Sequence, residues 1–266
     1  QELGPHLLKF YSVLNRFYLE SAKGNFHPWI AEYLDAGKPQ DLIEFGRMKK
    51  MRQALPGIIR PDVIATEKGF SVTELDSVPG GFGFTTSLMS LYEEPSWKII
   101  GEGIPALFYE MAKSVSKEAS PNVAIVVSDE SKDYLSEMQY LAALLSGVYV
   151  VHPKDLKFKE EGLFVVHEGK WVRMDVLYRF FELFDLKNIP KSELHLYAAK
   201  KGRVVTTPPY KPWLEEKLSF ALFFHPALKS DWEKALGLET FTFLSHLIPE
   251  TWILDSRPLP PYGVIP

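Results

Sequence analysis

Apolar positions recur every three to four residues at the start of the chain, where Leu7, Leu8, Tyr11, Leu14 and Tyr18 fall on one helical face. Residues 1–58 therefore read as mostly helical. Asp41 is placed to cap a second helix running through Ile43 and Met48 to Met51, and Pro56-Gly57 ends it. The period then changes to two. From Ile58 to Asp76 two alternating runs flank Glu67-Lys68-Gly69, which predicts a β-hairpin with glycine at the left-handed position of a three-residue loop. The glycine-rich stretch Val78–Gly83 follows, then a helix from Thr86 to Tyr92 and another over 103–118.

The middle of the chain carries short, continuous apolar runs: Val123–Val127, Val148–Val151 and Val176–Phe180. Such runs mark strands covered on both faces, as in a parallel sheet. The first two are separated by an amphipathic segment from Ser131, read as its cap, to Leu145, with Gly147 as the stop. That is one βαβ unit, and it predicts a Rossmann-like layer. Phe164–Val166 and Trp171-Val172 predict a second hairpin around Glu168-Gly169. Helices return from Pro212 to Phe224 and from Phe241 to His246, and the proline-rich tail Arg257–Pro266 reads as irregular. The fold class expected is α/β in three regions: 1–120 with helices and the first hairpin, 121–200 with the Rossmann-like layer, and 201–266.

Composition narrows the chemistry. The 266 residues are 46% hydrophobic and 24% charged, ordinary for a folded globular protein. The net charge of -4 gives no basic excess for nucleic acid. With no cysteine there is no disulfide framework and no thiolate ligand or nucleophile. No apolar run approaches the roughly 20 residues of a membrane helix, and Gln1–Phe10 lacks a signal-peptide pattern. The expectation is a cytoplasmic protein without a nucleic-acid or membrane partner; the oligomeric state is unknown, and the small-molecule carboxylate and amine partners come only with the resemblance described below.

The first hairpin carries the main chemical signal. With the loop centred on Lys68, Asp62 faces Glu74 and Arg60 faces Asp76, all on one face at the open end. Opposed carboxylates repel, so the pattern calls for cations: Arg60 supplies one, and a hard cation such as magnesium would supply the rest. A solvated edge hairpin with scattered charges accounts for the same spacing. Gly80, Gly81 and Gly83 follow, where backbone N–H groups could approach a phosphate or carboxylate, although three glycines also make an ordinary turn.

Arg60-Pro61-Asp62 followed by Glu74-Leu75-Asp76 resembles the magnesium-binding signature of circularly permuted ATP-grasp enzymes of the glutathionylspermidine synthase type, which have Arg-x-Asp, a hairpin and Glu-x-Asn at the same interval. Ser77–Gly83 resembles the loop that follows in that family. Val176–Phe180 resembles the strand entering its substrate cleft, Glu216-Lys217 its first ATP-contacting lysine, and Leu247–Trp252 the sequence before its ATP-gripping lobe. These landmarks run from Arg60 to Trp252 in the family's order. Asp76 stands where the family has Asn. The family's second lysine strand and phosphate loop, expected after this point, are not in the sequence.

The resemblance implies an ATP-grasp-like, circularly permuted fold with a Rossmann-like pre-ATP-grasp layer. It implies ATP and Mg2+, with Asp62, Glu74 and Asp76 as metal ligands and Lys217 on the nucleotide. Gly80, Gly81 and Gly83 would form the phosphate or substrate loop, and Arg60 and Arg179 would be catalytic. The implied activity joins a carboxylate to an amine through an acyl-phosphate; the alternative is a non-catalytic binding module that has lost part of the ATP site. Arg179, inside an apolar strand, needs a cleft or a partner such as Glu182. Glu137 reads as lying on a solvated or cleft-facing helix. The seven histidines show no metal-ligand spacing, with His152 in a loop and His225 ending a helix. Ser128-Asp129-Glu130 lacks a dinucleotide-binding fingerprint.

Overall fold

The computed structural model describes residues 3–67, 69–92 and 103–255. The hairpin's central loop residue Lys68 and the tail from Arg257 on lie outside them. The chain forms a mixed α/β structure in two compact units. The first joins the stretch up to Arg52, Arg60–Asp76 and the stretch from Lys211 on; the second joins Gln53–Ile59 and Ser77–Tyr210. This differs from the three sequential regions expected. The unit that holds the parallel sheet extends from Ser77 to Tyr210 and takes in Gln53–Ile59 as well, and the two ends of the chain belong to one unit.

The first unit is built on helix α1 (Leu3–Ser21), with α2 (Trp29–Asp35) and α3 (Gln40–Arg47) following. Leu7, Tyr11, Leu14 and Tyr18 are buried as their spacing predicts, joined by Phe10 and Phe17, while Leu8 faces outward. Their partners come from the far end of the chain. Phe10 stacks on Trp232 at 5.2 Å and Tyr18 on Trp213 at 3.9 Å between ring centroids. Trp213 and Trp232 are fully buried, and aromatic side chains of this size dominate core energetics. Hairpin strands β1 (Arg60–Thr66) and β2 (Gly69–Asp76) complete the unit.

In the second unit, α4 (Phe82–Leu91) and α5 (Ile104–Ser116) precede strand β3 (Val123–Val127). Helix α6 (Leu135–Ala143) and β4 (Val148–Val151) follow. Three strands, β5 (Lys157–Lys159), β6 (Gly162–His167) and β7 (Lys170–Met174), form a separate antiparallel sheet. Strand β8 (Val176–Phe180), helix α7 (Ser192–Lys201) and β9 (Val205–Thr207) close the unit.

The main sheet has the order β4-β3-β8-β9, with every neighbouring pair parallel. The three apolar runs are thus adjacent strands of one sheet, and β3 and β8 are buried at every position. Edge strand β9, only three residues long, gave no periodic signal. The β6–β7 turn falls at Glu168-Gly169, both with positive φ (49° and 75°), the conformation that a two-residue hairpin of right-handed twist requires.

Ser131 does not cap α6. Its hydroxyl donates to the Phe180 carbonyl at 2.8 Å and accepts from the Ser128 N–H at 3.1 Å, tying the end of β3 to the end of β8. A 3-10 turn, Lys132–Tyr134, intervenes before the helix.

Candidate active site

The hairpin pairs Arg60 with Asp76, Pro61 with Leu75 and Asp62 with Glu74, the register expected at the open end, but the route to it is different. Thr66 pairs directly with Gly69, so two residues rather than three lie between the strands. Val63 pairs with Val72, one residue out of step with the open end. Thr73 makes up the difference as a β-bulge, the extra residue of β2 between Val72 and Glu74. Its hydroxyl donates across the hairpin to the Asp62 carbonyl at 3.3 Å. The short loop is possible because Gly69 adopts φ 120°, a value that a side chain would strain. Bulge and glycine together bring the two carboxylates into opposition.

Cations meet the carboxylates on the open end. Arg60 bridges two of them, with Nε 3.0 Å from Asp62 Oδ1 and Nη2 3.1 Å from Asp76 Oδ2. Glu74 turns to Lys217, at 3.0 Å between Oε2 and Nζ. Lys217 is at the N-terminal boundary of α8 (Leu218–Phe224), not within a helix. Five residues singled out from sequence, Arg60, Asp62, Glu74, Asp76 and Lys217, therefore converge in one unit, three carboxylates against two cations. All are partly exposed, so each pair contributes at most about 1 kcal/mol and exchanges partners cheaply. Among the described residues, no group of three or more His, Cys, Asp or Glu side chains is gathered as a metal centre. The donor chemistry at the hairpin suits a hard cation, but the carboxylates are turned toward Arg60 and Lys217.

The glycine loop belongs to the second unit and has a different role from the one expected. Glu137 of α6 accepts from the Gly81 N–H at 2.7 Å and, through its other oxygen, from the Phe84 N–H at 3.1 Å. A carboxylate of the chain itself thus closes the start of α4, where orphan N–H groups would otherwise bind an anion. The glycines answer to packing. A Cβ on Gly80 would come within 2.5 Å of the Tyr134 ring, and one on Gly83 would collide with the Glu137 backbone carbonyl. A Cβ on Gly81 would meet only Thr85 Oγ1, at an ordinary 3.9 Å, but its φ is 90°.

Arg179 is likewise structural. It is fully buried on β8, and its guanidinium donates to the carbonyls of Phe181, Pro208 (3.4 Å) and Pro209 (3.5 Å). The group also lies over the Tyr210 ring at 5.7 Å. The side chain expected to be catalytic has no exposed surface in this structure, and backbone carbonyls and the Phe181 and Tyr210 rings surround it.

Several polar residues carry environments that spacing did not reveal. Lys211 is fully buried, with Nζ donating to Asn15 Oδ1 at 2.9 Å and to the Arg52 carbonyl at 3.0 Å; burial pushes its ammonium down to about 7. His195 on α7 is fully buried against the Phe158 ring, with neither ring nitrogen hydrogen-bonded, and burial lowers it to about 4. Tyr18 donates to Asp35 Oδ1 at 2.6 Å and accepts from Arg47 Nε at 2.9 Å, and burial raises its phenol well above the usual range. The available signal was sequence context: Lys211 and His195 each lie in an apolar stretch. His152 and His225 accept from the N–H two residues on, at Lys154 and Ala227, and act as local caps.

Among the described residues no helix is long and apolar enough to cross a membrane. No protein-family model matches the chain, and no curated protein matches it in sequence.

Proposed function

We propose that this chain belongs to an ATP-dependent carboxylate–amine ligase of the circularly permuted ATP-grasp type, with the β1–β2 hairpin as the place where the metal and phosphates of ATP are handled. The observation that carries the reading is the opposition of Asp62 and Glu74 across a bulged hairpin, flanked by the Arg60–Asp76 pair and met by Lys217. A fold that only needed a solvated hairpin would gain stability by separating the two carboxylates. The mixed α/β architecture and the parallel layer fit the same reading.

In this account Asp62, Glu74 and Asp76 would hold Mg2+, after Arg60 and Lys217 release them. When bound, Mg2+ would neutralise charge on the phosphate oxygens during transfer. Lys217, freed from Glu74, donates to a nucleotide phosphate. Arg60, freed from Asp62, presents its planar fork to the substrate carboxylate and holds it for phosphorylation. The amine then attacks the acyl-phosphate, expelling inorganic phosphate and leaving the amide. Surface ion pairs suit this exchange because breaking them costs little.

A second reading is a non-catalytic binding module, and two observations favour it. Glu137 closes the glycine-loop N–H groups, and no metal centre is gathered among the described residues. Turnover separates the two. The ligase reading expects Mg2+-dependent conversion of ATP to ADP and phosphate that requires both a carboxylate and an amine. Glu74→Ala should lower the rate on the order of a hundredfold or more with the fold kept. ATP binding without turnover, equal in Glu74→Ala, would favour the module.

A further inference from the structure

Lys217 is two-thirds exposed and would roam if nothing directed it. Its neighbour Glu216 is held. Lys38 Nζ lies 2.6 Å from Glu216 Oε1, and the Lys38 side chain is only 14% exposed. A lysine side chain with so little exposure gains from a partner at its ammonium. The two residues are far apart in sequence, and each is on rigid backbone. Lys38 follows Gly37, whose φ of 74° makes the turn out of α2, and precedes Pro39, which restricts Lys38 to extended conformations. Its N–H donates to the Asp35 carbonyl at 3.0 Å. On the other side, the Glu216 and Lys217 carbonyls accept from Ser219 and Phe220 (3.2 and 3.0 Å) in the turn that opens α8.

Both anchors lead to Tyr18. The Asp35 carboxylate accepts from the Tyr18 hydroxyl and pairs with Arg47. The Tyr18 ring stacks on Trp213, in the turn just before Glu215. The chain of contacts thus runs from the α1–α3 scaffold through Lys38 to Glu216, then through one peptide unit to Lys217, and finally to Glu74. We propose that Lys38 is a positioning residue: its pair with Glu216 sets the orientation from which Lys217 reaches Glu74 and, on the reading above, a nucleotide phosphate. Lys38 itself touches neither. Its functional consequence rests on the ligase reading; the geometric claim does not.

Two experiments on Lys38→Met and Lys38→Arg keep those apart. In crystals, Lys217 should leave Glu74 in Lys38→Met and remain paired with it in Lys38→Arg. Lys217 still on Glu74 in Lys38→Met overturns the proposal, whatever the protein does with ATP. In steady-state kinetics with Mg2+–ATP, Lys38→Met should raise KM for ATP about tenfold, the loss of roughly one charge-assisted hydrogen bond to phosphate. Its kcat should be nearly unchanged, and Lys38→Arg should restore KM. A fall in kcat at unchanged KM would indicate general structural damage and overturn the positioning role. Absence of turnover in the unaltered protein would sink the ligase reading and leave the crystallographic result to judge Lys38.

Discussion

The β1–β2 hairpin and the glycine loop are adjacent in sequence and treat polar groups in opposite ways. On the hairpin, charges meet across partly exposed strands in pairs that can be exchanged. In the loop, the Gly81 and Phe84 N–H groups are closed by Glu137, and Gly80 and Gly83 leave room for Tyr134 and the α6 backbone. The two arginines repeat the contrast. Arg60 is partly exposed among carboxylates, while Arg179 is buried among carbonyls. A residue type that could serve a ligand serves the fold when the chain buries it together with its partner.

Substitutions in the second unit are expected to act on stability and those at the hairpin on function. The largest stability effect should come from Arg179→Met. It strands the Phe181, Pro208 and Pro209 carbonyls in a dry interior and should cost about 4 kcal/mol in denaturant unfolding. Gly83→Ala should follow at about 3 kcal/mol, because the new Cβ must push α4 off α6.

His195 extends the comparison to acid. Its folded-state pKa lies near 4, below the ordinary value of 6.5, so the unfolded chain binds the proton first. Stability is therefore full above pH 6.5 and falls as pH drops to 4, by about 3 kcal/mol. Unfolding measured across that window should show the slope, and His195→Leu should flatten it. Gly81→Ala should cost only about 1 kcal/mol, since the new Cβ makes only an ordinary contact with Thr85 and the left-handed backbone alone is strained. Least of all, Glu74→Ala should leave stability within about 0.5 kcal/mol. A hairpin substitution that costs several kcal/mol would mean that the hairpin charges hold the fold as the buried groups do.

Much of the fold was legible because it is periodic. Val123–Val127, Val148–Val151 and Val176–Phe180 are continuous apolar runs, and all three lie in one parallel sheet. The open end of the hairpin was legible too, although by compensation: the loop is one residue shorter than expected, and the Thr73 bulge restores the register. A bulge leaves no periodic mark when the residues around it are all polar or β-branched. The division into units was hidden because it depends on which distant helices share a core. Nothing in the spacing says that Phe10 will stack on Trp232. Arg179 and the glycines stand out in the sequence but their partners do not, since the Pro208 and Pro209 carbonyls and Glu137 lie far away along the chain. Lys38 carried no signal, because its role depends on a single contact with Glu216.

On the proposed function, the hairpin carboxylates and not the glycine loop answer to Mg2+ and nucleotide. Calorimetric titration of Mg2+–ATP into the unaltered protein, Glu74→Ala and Glu137→Gln tests it most directly. Glu74→Ala should weaken binding at least about tenfold through loss of a carboxylate ligand, while Glu137→Gln should bind like the unaltered protein. Unchanged binding by Glu74→Ala, together with tighter binding by Glu137→Gln, would contradict it and move the anion site to the start of α4.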